Sequence, residues 1–391
     1  MNGETRNDGQ FRVGLLAPRS SVLGQEPCGG SEVVLREDSR ILEAAGAQVA
    51  VYGQAAVDGA NVQRIPVRSR LPLVTSLEYC EPFVRREAHA LLLAYNEPTV
   101  AALAPDRSII RFDWTTPLPR YWKLPFWTRR FQRSLYLFPS ESERKTFLAS
   151  HSQIPADRAV VIPNAVDTKL FAPQNRPIAA PRVGFAGQWV ARKGIQTLLD
   201  AWEIVHQNRP EAELWLAGSA KLWKAGIAVP GAAEAEERVR SVQGRNVKLL
   251  GDLPRTEMPD FWNSLTVAAV PSLYEPFGLV ALEALSCGVP VVASRVGGLP
   301  EIVAERECGL LVPPGAPNEL ALALLLLLGD RALRSRFSQA ARERAMAFSI
   351  ERRTRNLLHL VEERAKEGGS NAPMISSNHH AVPASHWLQG K

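Results

Sequence analysis

The stretch that decides the fold is residues 275–300, EPFGLVALEALSCGVPVVASRVGGLP. Gly278 stands before a run of apolar residues, and this pattern predicts a helix that begins near Phe277 and ends at Gly288. The apolar residues 291–293 that follow predict a buried strand. A glycine-led helix that leads into a wholly apolar strand is typical of a parallel sheet with helices on both faces.

Two carboxylates in this stretch, Glu275 and Glu283, are eight residues apart. The predicted helix places Glu275 before its N-terminus and Glu283 on its second turn, at most about 12 Å along the axis. Carboxylates accept hydrogen bonds from hydroxyl groups, and free N–H groups at a helix start bind phosphate. The alternative is an acid favoured by the helix dipole followed by a surface acid. Since the helix is apolar almost all round, an acid within it needs a partner. The stretch therefore predicts a site for a hydroxyl-rich anion such as a nucleotide sugar.

Strand and helix patterns alternate along the chain, which favours α/β domains with parallel sheets. The length of 391 residues is enough for two such domains. The proline-rich residues 173–181 predict a linker between a domain at 11–172 and a second domain at 182–349. A charged helix is predicted at 350–366. The flexible or disordered ends are predicted at residues 1–10 and 367–391.

The composition argues against several classes of protein. The formal charge of +6 is small for this length and does not suggest nucleic acid binding. The four cysteines form no CxxC pair and lack a zinc spacing with histidine, which indicates free thiols in a reducing compartment. The N-terminus has no signal-peptide pattern, and the longest apolar run is about half of the ~20 residues that span a membrane. We expect a cytoplasmic protein, at most peripheral at the inner face of the membrane.

Two further loops at predicted strand ends carry candidate ligand-binding groups. Gly29 and Gly30 follow the first strand, where backbone N–H groups can approach an anion, although a simple N-cap turn explains them equally well. Arg192 and Lys193 precede Gly194, which starts a helix in the second domain. A cation beside a helix N-terminus suits a diphosphate. Taken alone, a solvated basic loop is the more frequent explanation of this pair.

Several catalytic motifs are absent from the sequence. It contains no DxD, so we expect no metal-held diphosphate and no cofactor, and Lys193 would supply the neutralising charge instead. It also contains no HExxH, no GxSxG and no P-loop. The missing GxGxxG argues against a dehydrogenase.

The spacing E-x7-E from Glu275 to Glu283 resembles the signature of glycosyltransferase family 4, a family of retaining GT-B enzymes. The segments VGLLAPRSSVLGQEPCGGSE (13–32), VIPNAVDTKLFAP (161–173) and GLLVPPG (309–315) are also similar to that family. The resemblance extends over about residues 11 to 365. It implies two Rossmann-like domains that face each other across a cleft. The C-terminal domain would bind the nucleotide sugar, the N-terminal domain most of the acceptor, and the final helix would cross back to the N-terminal domain.

The resemblance also implies roles for individual residues. Glu275 would contact hydroxyls of the donor sugar, Glu283 the hydroxyls of the ribose, and Lys193 the diphosphate. The backbone positions that would contact phosphate or sugar are Phe277, Gly278 and Leu279 in the second domain, and Gly29 and Gly30 in the first.

Two positions depart from the family pattern. Gln188 stands where the family has arginine, and the charge of Arg192 is a candidate replacement. Asp113 stands where the family often has histidine. A carboxylate there can accept a hydrogen bond from a hydroxyl or shuttle a proton, but it cannot donate as an imidazolium does.

The implied activity is a hexosyltransferase-like, metal-independent transfer of sugar from a UDP- or GDP-sugar to a hydroxyl acceptor, which could be a glycan, a lipid-linked acceptor or a small molecule. The configuration would be retained by same-face attack without a protein nucleophile, since the motifs contain no Ser-His or Cys-His arrangement. The diphosphate oxygen would take the acceptor proton, and the protein would position and stabilise the leaving group. The alternatives are a nucleotide-sugar epimerase of the same fold and a catalytically impaired nucleotide-sugar-binding protein.

Residues 119–138, PRYWKLPFWTRRFQRSLYLF, interleave aromatic and basic side chains. One interpretation is a peripheral membrane contact that serves a lipid-linked acceptor. The other is an amphipathic helix with its aromatic side chains in the core. Basic residues are not sustained beyond this segment, which again argues against nucleic acid.

Overall fold

The computed structural model describes residues 11–23, 30–56, 61–69, 71–113, 124–174, 180–220, 232–242 and 244–368. The chain divides into two compact units. Unit 1 comprises Met1–Pro139, Glu143–Ile162 and Arg353–Lys391, and unit 2 comprises Ser140–Ser142 and Pro163–Arg352. The predicted end at 1–10, most of the predicted end at 367–391 and most of the predicted linker lie outside the described residues.

The strands of the described residues alternate with helices, as the sequence pattern predicts. The strands are β1 (Arg12–Leu16), β2 (Val22–Leu23), β3 (Gln48–Gly53), β4 (Ala55–Ala56), β5 (Gln63–Arg64), β6 (Leu91–Tyr95), β7 (Ser108–Arg111), β8 (Leu135–Phe138), β9 (Ala159–Val161), β10 (Arg182–Ala186), β11 (Glu213–Ala217), β12 (Val247–Gly251), β13 (Val267–Val270), β14 (Val291–Ser294) and β15 (Gly309–Val312).

The helices cover the faces of the sheets. They are α1 (Gly30–Ala44), α2 (Pro72–Arg86), α3 (Thr99–Leu103), α4 (Pro125–Phe131), α5 (Glu141–Ser150), α6 (Ile195–Asn208), α7 (Ala232–Ser241), α8 (Met258–Asn263), α9 (Leu279–Ser286), α10 (Leu299–Ile302), α11 (Pro317–Gly329), α12 (Arg331–Met346) and α13 (Ile350–Glu367).

Each unit is built on one main parallel sheet. Unit 1 has seven strands in the order β5-β3-β1-β6-β7-β8-β9, and the short strands β2 and β4 form a separate pair. Unit 2 has six strands in the order β12-β11-β10-β13-β14-β15. In both sheets the first strand lies in the interior and the order reverses beside it, which is the doubly wound, Rossmann-like arrangement. The predicted fold class, two parallel-sheet α/β domains of the GT-B type, is confirmed.

The sheet of unit 2 is buried on both faces at its centre, where β13 is apolar and buried at every position. In β13, Val267 and Ala269 join the hydrophobic cluster on one face, and Ala268 and Val270 join the cluster on the other. Strands of this kind suit a parallel sheet between two helical layers. They leave the ends of the strands, rather than the faces, for polar groups that bind ligands.

The predicted helix near Phe277 begins two residues later, at Leu279. The reason is Gly278, whose φ of 114° is left-handed and ends the non-helical segment. A Cβ at this position would also lie 2.7 Å from Leu299 Cδ2. Glycine is therefore required at the turn that brings the segment after β13 into α9.

The last helix, α13, is fixed to the rest of unit 1 by a buried ion pair. Arg353 is 2% exposed, and its Nη2 donates to both carboxylate oxygens of Asp38 in α1, at 2.6 and 2.8 Å. The Tyr95 hydroxyl donates to Asp38 Oδ2 at 2.7 Å. Since a buried charge without a partner costs several kcal/mol, this network holds α13 in one position on unit 1. The helix continues to Glu367, one residue beyond the prediction.

Candidate functional site

The switch point of unit 2 lies between β10 and β13, which are hydrogen-bonded neighbours in the parallel sheet. In open parallel sheets, ligands bind at the carboxyl ends of the strands at such a point. The segment after β10 carries Gln188, Arg192 and Lys193, and the segment after β13 carries Ser272 and Glu275. The fold therefore brings together polar side chains that are about 80 residues apart in the sequence.

Lys193 and Glu275 form an ion pair at this switch point. Lys193 Nζ donates to Glu275 Oε2 at 2.7 Å, and the Ser272 hydroxyl donates to the same oxygen at 3.0 Å. Glu275 is 6% exposed, whereas a fifth of the Lys193 side chain is exposed. The carboxylate is thus held in place and largely desolvated, and the cation beside it remains accessible to an anion.

Glycines allow the two segments to approach so closely. Gly194 has a φ of 69°, and a Cβ there would lie 1.8 Å from the carbonyl oxygen of Pro271. A Cβ on Gly297 would lie 1.9 Å from the carbonyl oxygen of Glu275. The Leu273 N–H also donates to the Arg192 carbonyl at 2.8 Å. The position of the Lys193–Glu275 pair is therefore determined by backbone contacts on both sides.

Helix α9 begins at Leu279, four residues after Glu275. Its first N–H groups have no acceptor within the helix, so they are available to a ligand. Phe277 is buried and packs edge to face on Phe348, with the ring centroids 6.0 Å apart. This contact anchors the turn that contains the predicted backbone positions Phe277, Gly278 and Leu279.

Glu283 lies inside unit 2 and is 5% exposed, so the alternative of a surface acid is wrong. Arg255 Nη1 donates to Glu283 Oε1 at 2.9 Å, and the Trp262 indole N–H donates to Oε2 at 3.3 Å. Burial raises the pKa of Glu283, and the charge of Arg255 and both hydrogen bonds oppose that shift. The acid within the apolar helix thus has the partners that its burial requires.

Gln188 and Arg192 contact each other. Arg192 Nη2 donates to Gln188 Oε1 at 3.1 Å, so the guanidinium lies beside the amide. A positive charge is therefore present at the position where the sequence has glutamine instead of arginine.

The predicted site residues of unit 1 are Asp113, Gly29 and Gly30. Asp113 accepts from Arg111 Nε at 2.8 Å, and its own N–H donates to Asn96 Oδ1 at 3.1 Å. The Asp113 side chain is 8% exposed, and Arg111 is fully buried. Gly30 is the first residue of α1 and is exposed, whereas Gly29 lies outside the described residues.

Three residues around the site were not predicted from the sequence: Ser272, Arg255 and Trp262. Ser272 lies two residues beyond β13, and this strand-end position could have identified it. Arg255 follows the end of β12 by four residues, so it too has a strand-end position. Trp262 has no such signal, because it lies on a short helix and the tertiary packing alone brings it to Glu283.

Two kinds of feature are not found among the described residues. They contain no group of three or more His, Cys, Asp or Glu side chains that could hold a metal ion. Within the same ranges, no helix has the length and apolar character needed to cross a membrane.

Comparison with known proteins shows which family the part of the chain around the site resembles. Residues 167–344 match the family described as glycosyl transferases group 1. The D-inositol 3-phosphate glycosyltransferase of Corynebacterium glutamicum is 33% identical over 217 residues, which cover 52% of this chain and 51% of that protein. The enzyme of the same name from Pseudarthrobacter chlorophenolicus is 28% identical over 390 residues, which cover 85% of this chain and 91% of that protein.

The fold also matches solved structures. Anabaena HepE in complex with UDP-glucose superimposes with a TM-score of 0.71 at 20% identity, covering 90% of this chain and 100% of HepE. The chain spans about half the length of the first curated relatives that it matches. Residues 167–344, the part of the chain that matches the glycosyl transferases group 1 family, contain Lys193, Glu275 and Glu283.

Proposed function

We propose that this protein is a glycosyltransferase that moves a sugar from a UDP- or GDP-sugar to a hydroxyl acceptor, with retention of configuration and without a metal ion. The observation that carries the proposal is the Lys193–Glu275 ion pair at the switch point of unit 2. Its Nζ and Oε2 atoms are 2.7 Å apart, and the pair lies near the N-terminus of α9. The match of residues 167–344 to the glycosyl transferases group 1 family and the names of the relatives support the activity, and HepE, which holds UDP-glucose, supports the donor class.

In this proposal the donor diphosphate binds at Lys193 and at the first N–H groups of α9. The diphosphate carries two negative charges or more, so it competes with Glu275 for the ammonium group of Lys193. The Glu275 carboxylate then accepts hydrogen bonds from hydroxyls of the donor sugar, while Ser272 continues to hold one of its oxygens. Arg192, beside Gln188, adds a second cation for the phosphates.

Glu283 is the residue that we assign to the ribose hydroxyls. A carboxylate accepts two hydroxyl donors well, and burial strengthens such hydrogen bonds because water competes less. Glu275 and Glu283 lie on either side of the start of α9, so the diphosphate between ribose and sugar would lie at that N-terminus.

The chemical step needs the residues mainly as electrostatic supports. The acceptor oxygen attacks the anomeric carbon on the face from which the diphosphate leaves, and a diphosphate oxygen takes the acceptor proton. Lys193 and the α9 N–H groups stabilise the charge that develops on the leaving oxygen. Asp113 in unit 1 is proposed to accept a hydrogen bond from a hydroxyl of the sugar or the acceptor.

Turnover with a single donor distinguishes this function from its alternatives. Each UDP- or GDP-sugar is incubated alone and with hydroxyl acceptors, in each case with and without EDTA. D-inositol 3-phosphate is the first acceptor to test, because the relatives are named for it. We expect nucleoside diphosphate release that depends on the acceptor and is unchanged by EDTA, and a product with the donor's anomeric configuration. An epimer formed from donor alone would establish the epimerase, and binding without any turnover the impaired binder.

We also propose that α4 contacts an anionic membrane surface that carries the acceptor. Phe126 is 66% exposed and Leu124 is 56% exposed, and the exposed Arg129 lies one turn further along the same short helix. An apolar tip flanked by arginine suits the boundary of an anionic bilayer. Of the predicted segment 119–138, residues 119–123 lie outside the described residues.

Vesicle flotation tests this contact. We expect the protein to float with phosphatidylglycerol vesicles and not with phosphatidylcholine vesicles, and Phe126→Ser to reduce the bound fraction at least about threefold. Leu322→Ser is the control, because Leu322 in unit 2 is also 66% exposed. Equal binding of the two single variants and the unaltered protein would contradict a role for α4.

A further inference from the structure

The most unusual buried group in unit 2 is the carboxylate of Glu283. It lies on α9, in which Ala281, Leu282, Ala284 and Leu285 are fully buried. An ionised carboxylate in such surroundings is costly unless hydrogen bonds and an opposite charge compensate it. The proposed role at the ribose therefore requires that something in the protein keeps Glu283 charged and correctly oriented before the ligand arrives.

Arg255 is the charged group that makes contact with Glu283. Its Nη1 lies 2.9 Å from Glu283 Oε1. Three quarters of the Arg255 side chain and 93% of the Glu283 side chain are buried. Trp262 donates to the other oxygen at 3.3 Å, but an indole N–H carries no charge. The Coulombic compensation for Glu283 in this contact thus comes from Arg255.

The guanidinium of Arg255 is itself held in position. Its central carbon lies 5.3 Å from the centroid of the Phe171 ring, a distance at which the ring face attracts a cation. Arg255 lies between β12 and α8, whereas Glu283 is on α9. The contact therefore joins two segments of unit 2 and orients the carboxylate from outside its own helix.

We propose that Arg255 is a positioning residue that holds the Glu283 carboxylate as an anion in the orientation that accepts the ribose hydroxyls. This inference rests on the proposed function, because Arg255 acts on ribose binding only through Glu283. A merely structural ion pair would stabilise unit 2 and would leave the preference for ribose over deoxyribose unchanged.

The preference for ribose is measured with four probes: UDP, 2′-deoxy-UDP, GDP and 2′-deoxy-GDP. Calorimetry gives the ratio of dissociation constants, deoxy over ribo, for the base that binds. We expect a ratio of about 10 for the unaltered protein, since a lost hydrogen bond to a charged group is worth about 1.5 kcal/mol. In Arg255→Gln the ratio should fall below about 2, and in Arg255→Lys it should recover in part because a charge returns.

Two controls isolate the effect. Arg182→Gln should keep the full ratio, because Arg182 forms an ion pair of similar length, 2.8 Å to Glu213, where β10 and β11 begin, at the opposite ends of the strands from the switch point. The preference for UDP over UMP, which reports on the phosphate contacts, should be unchanged in Arg255→Gln. A changed UDP-to-UMP preference would mean that Arg255 binds phosphate directly, and it would overturn the positioning role.

The outcomes separate this inference from the function on which it rests. If Glu283→Gln loses the ribose preference while folded Arg255→Gln and Arg255→Lys keep it, the inference is wrong and the function stands. If Glu283→Gln keeps the preference, or if none of the four probes binds the unaltered protein, the role assigned to Glu283 is wrong, and the basis of this inference is lost with it. If Arg255→Gln does not fold, Arg255→Lys alone decides: a ratio between about 2 and 10 supports the positioning role, and an undiminished ratio contradicts it.

Discussion

Glu275→Gln is expected to lower kcat/KM for sugar transfer by about 100- to 1000-fold, equivalent to about 2.7 to 4 kcal/mol of transition-state stabilisation. The amide has nearly the shape of the carboxylate, so it can keep the hydrogen bond from Ser272. It lacks the charge that pairs with Lys193 at 2.7 Å and that accepts hydroxyl protons strongly. We therefore expect the substitution to lower kcat/KM for sugar transfer and to leave the stability of the folded protein nearly unchanged.

The measurement is the initial rate of nucleoside diphosphate release, with the melting temperature recorded in parallel. Glu213→Gln is the matched control, because Glu213 is also ion-paired, at 2.8 Å to Arg182, but lies where β11 begins, away from the switch point. If Glu275→Gln transfers sugar at the same rate as Glu213→Gln, Glu275 has no role in the site.

Lys193→Met is expected to have an effect of similar size, about 1000-fold in kcat/KM, with a large part of it in donor binding. Methionine retains the apolar stem and removes the ammonium group, so the diphosphate loses its nearest cation and Glu275 loses its partner. An unpaired anion next to the phosphates adds repulsion to the lost attraction. Lys193→Arg should recover part of the activity, because the charge returns with a different geometry.

The informative quantity is the gain in affinity from nucleoside to nucleoside diphosphate. This gain should be large in the unaltered protein, should nearly disappear in Lys193→Met, and should weaken with added salt. Lys248→Met serves as the control. The Lys248 ammonium lies 4.3 Å from the Trp215 ring centroid, and Lys248 is near the amino end of β12, away from the switch point. An undiminished diphosphate gain in Lys193→Met would show that other groups bind the phosphates.

The sequence predicted those features that depend on local pattern. The helix that ends before Gly288 and the strand predicted at 291–293 follow from the apolar pattern and from the glycines that flank the helix, and the fold class follows from the alternation of such elements. The start of α9 was placed two residues early, because an aromatic residue before a glycine does not reveal on which side of the glycine the helix begins.

Contacts between distant residues were harder to predict. Lys193 was named as the candidate cation for the site because its loop follows a strand end, and the structure pairs it with Glu275. The Arg255–Glu283 contact was not predicted, because it depends on the order of the strands in the sheet rather than on any spacing. Asp113 was identified because it stands where the resembled family often has histidine, but its ion pair with the buried Arg111 appears only in the folded chain.

Binding of a nucleotide sugar to the unaltered protein tests the central claim most directly. UDP-, GDP- and ADP-sugars are each added at 1 mM, roughly 100 times an expected dissociation constant of about 10 µM, and the melting temperature is measured. A ligand at that ratio stabilises the folded state by about 2.7 kcal/mol, which raises the melting temperature by about 5 °C or more for a unit of this size. The account predicts such a shift for a UDP- or GDP-sugar and its loss in Lys193→Met. A protein whose melting temperature responds to none of these nucleotide sugars would contradict it.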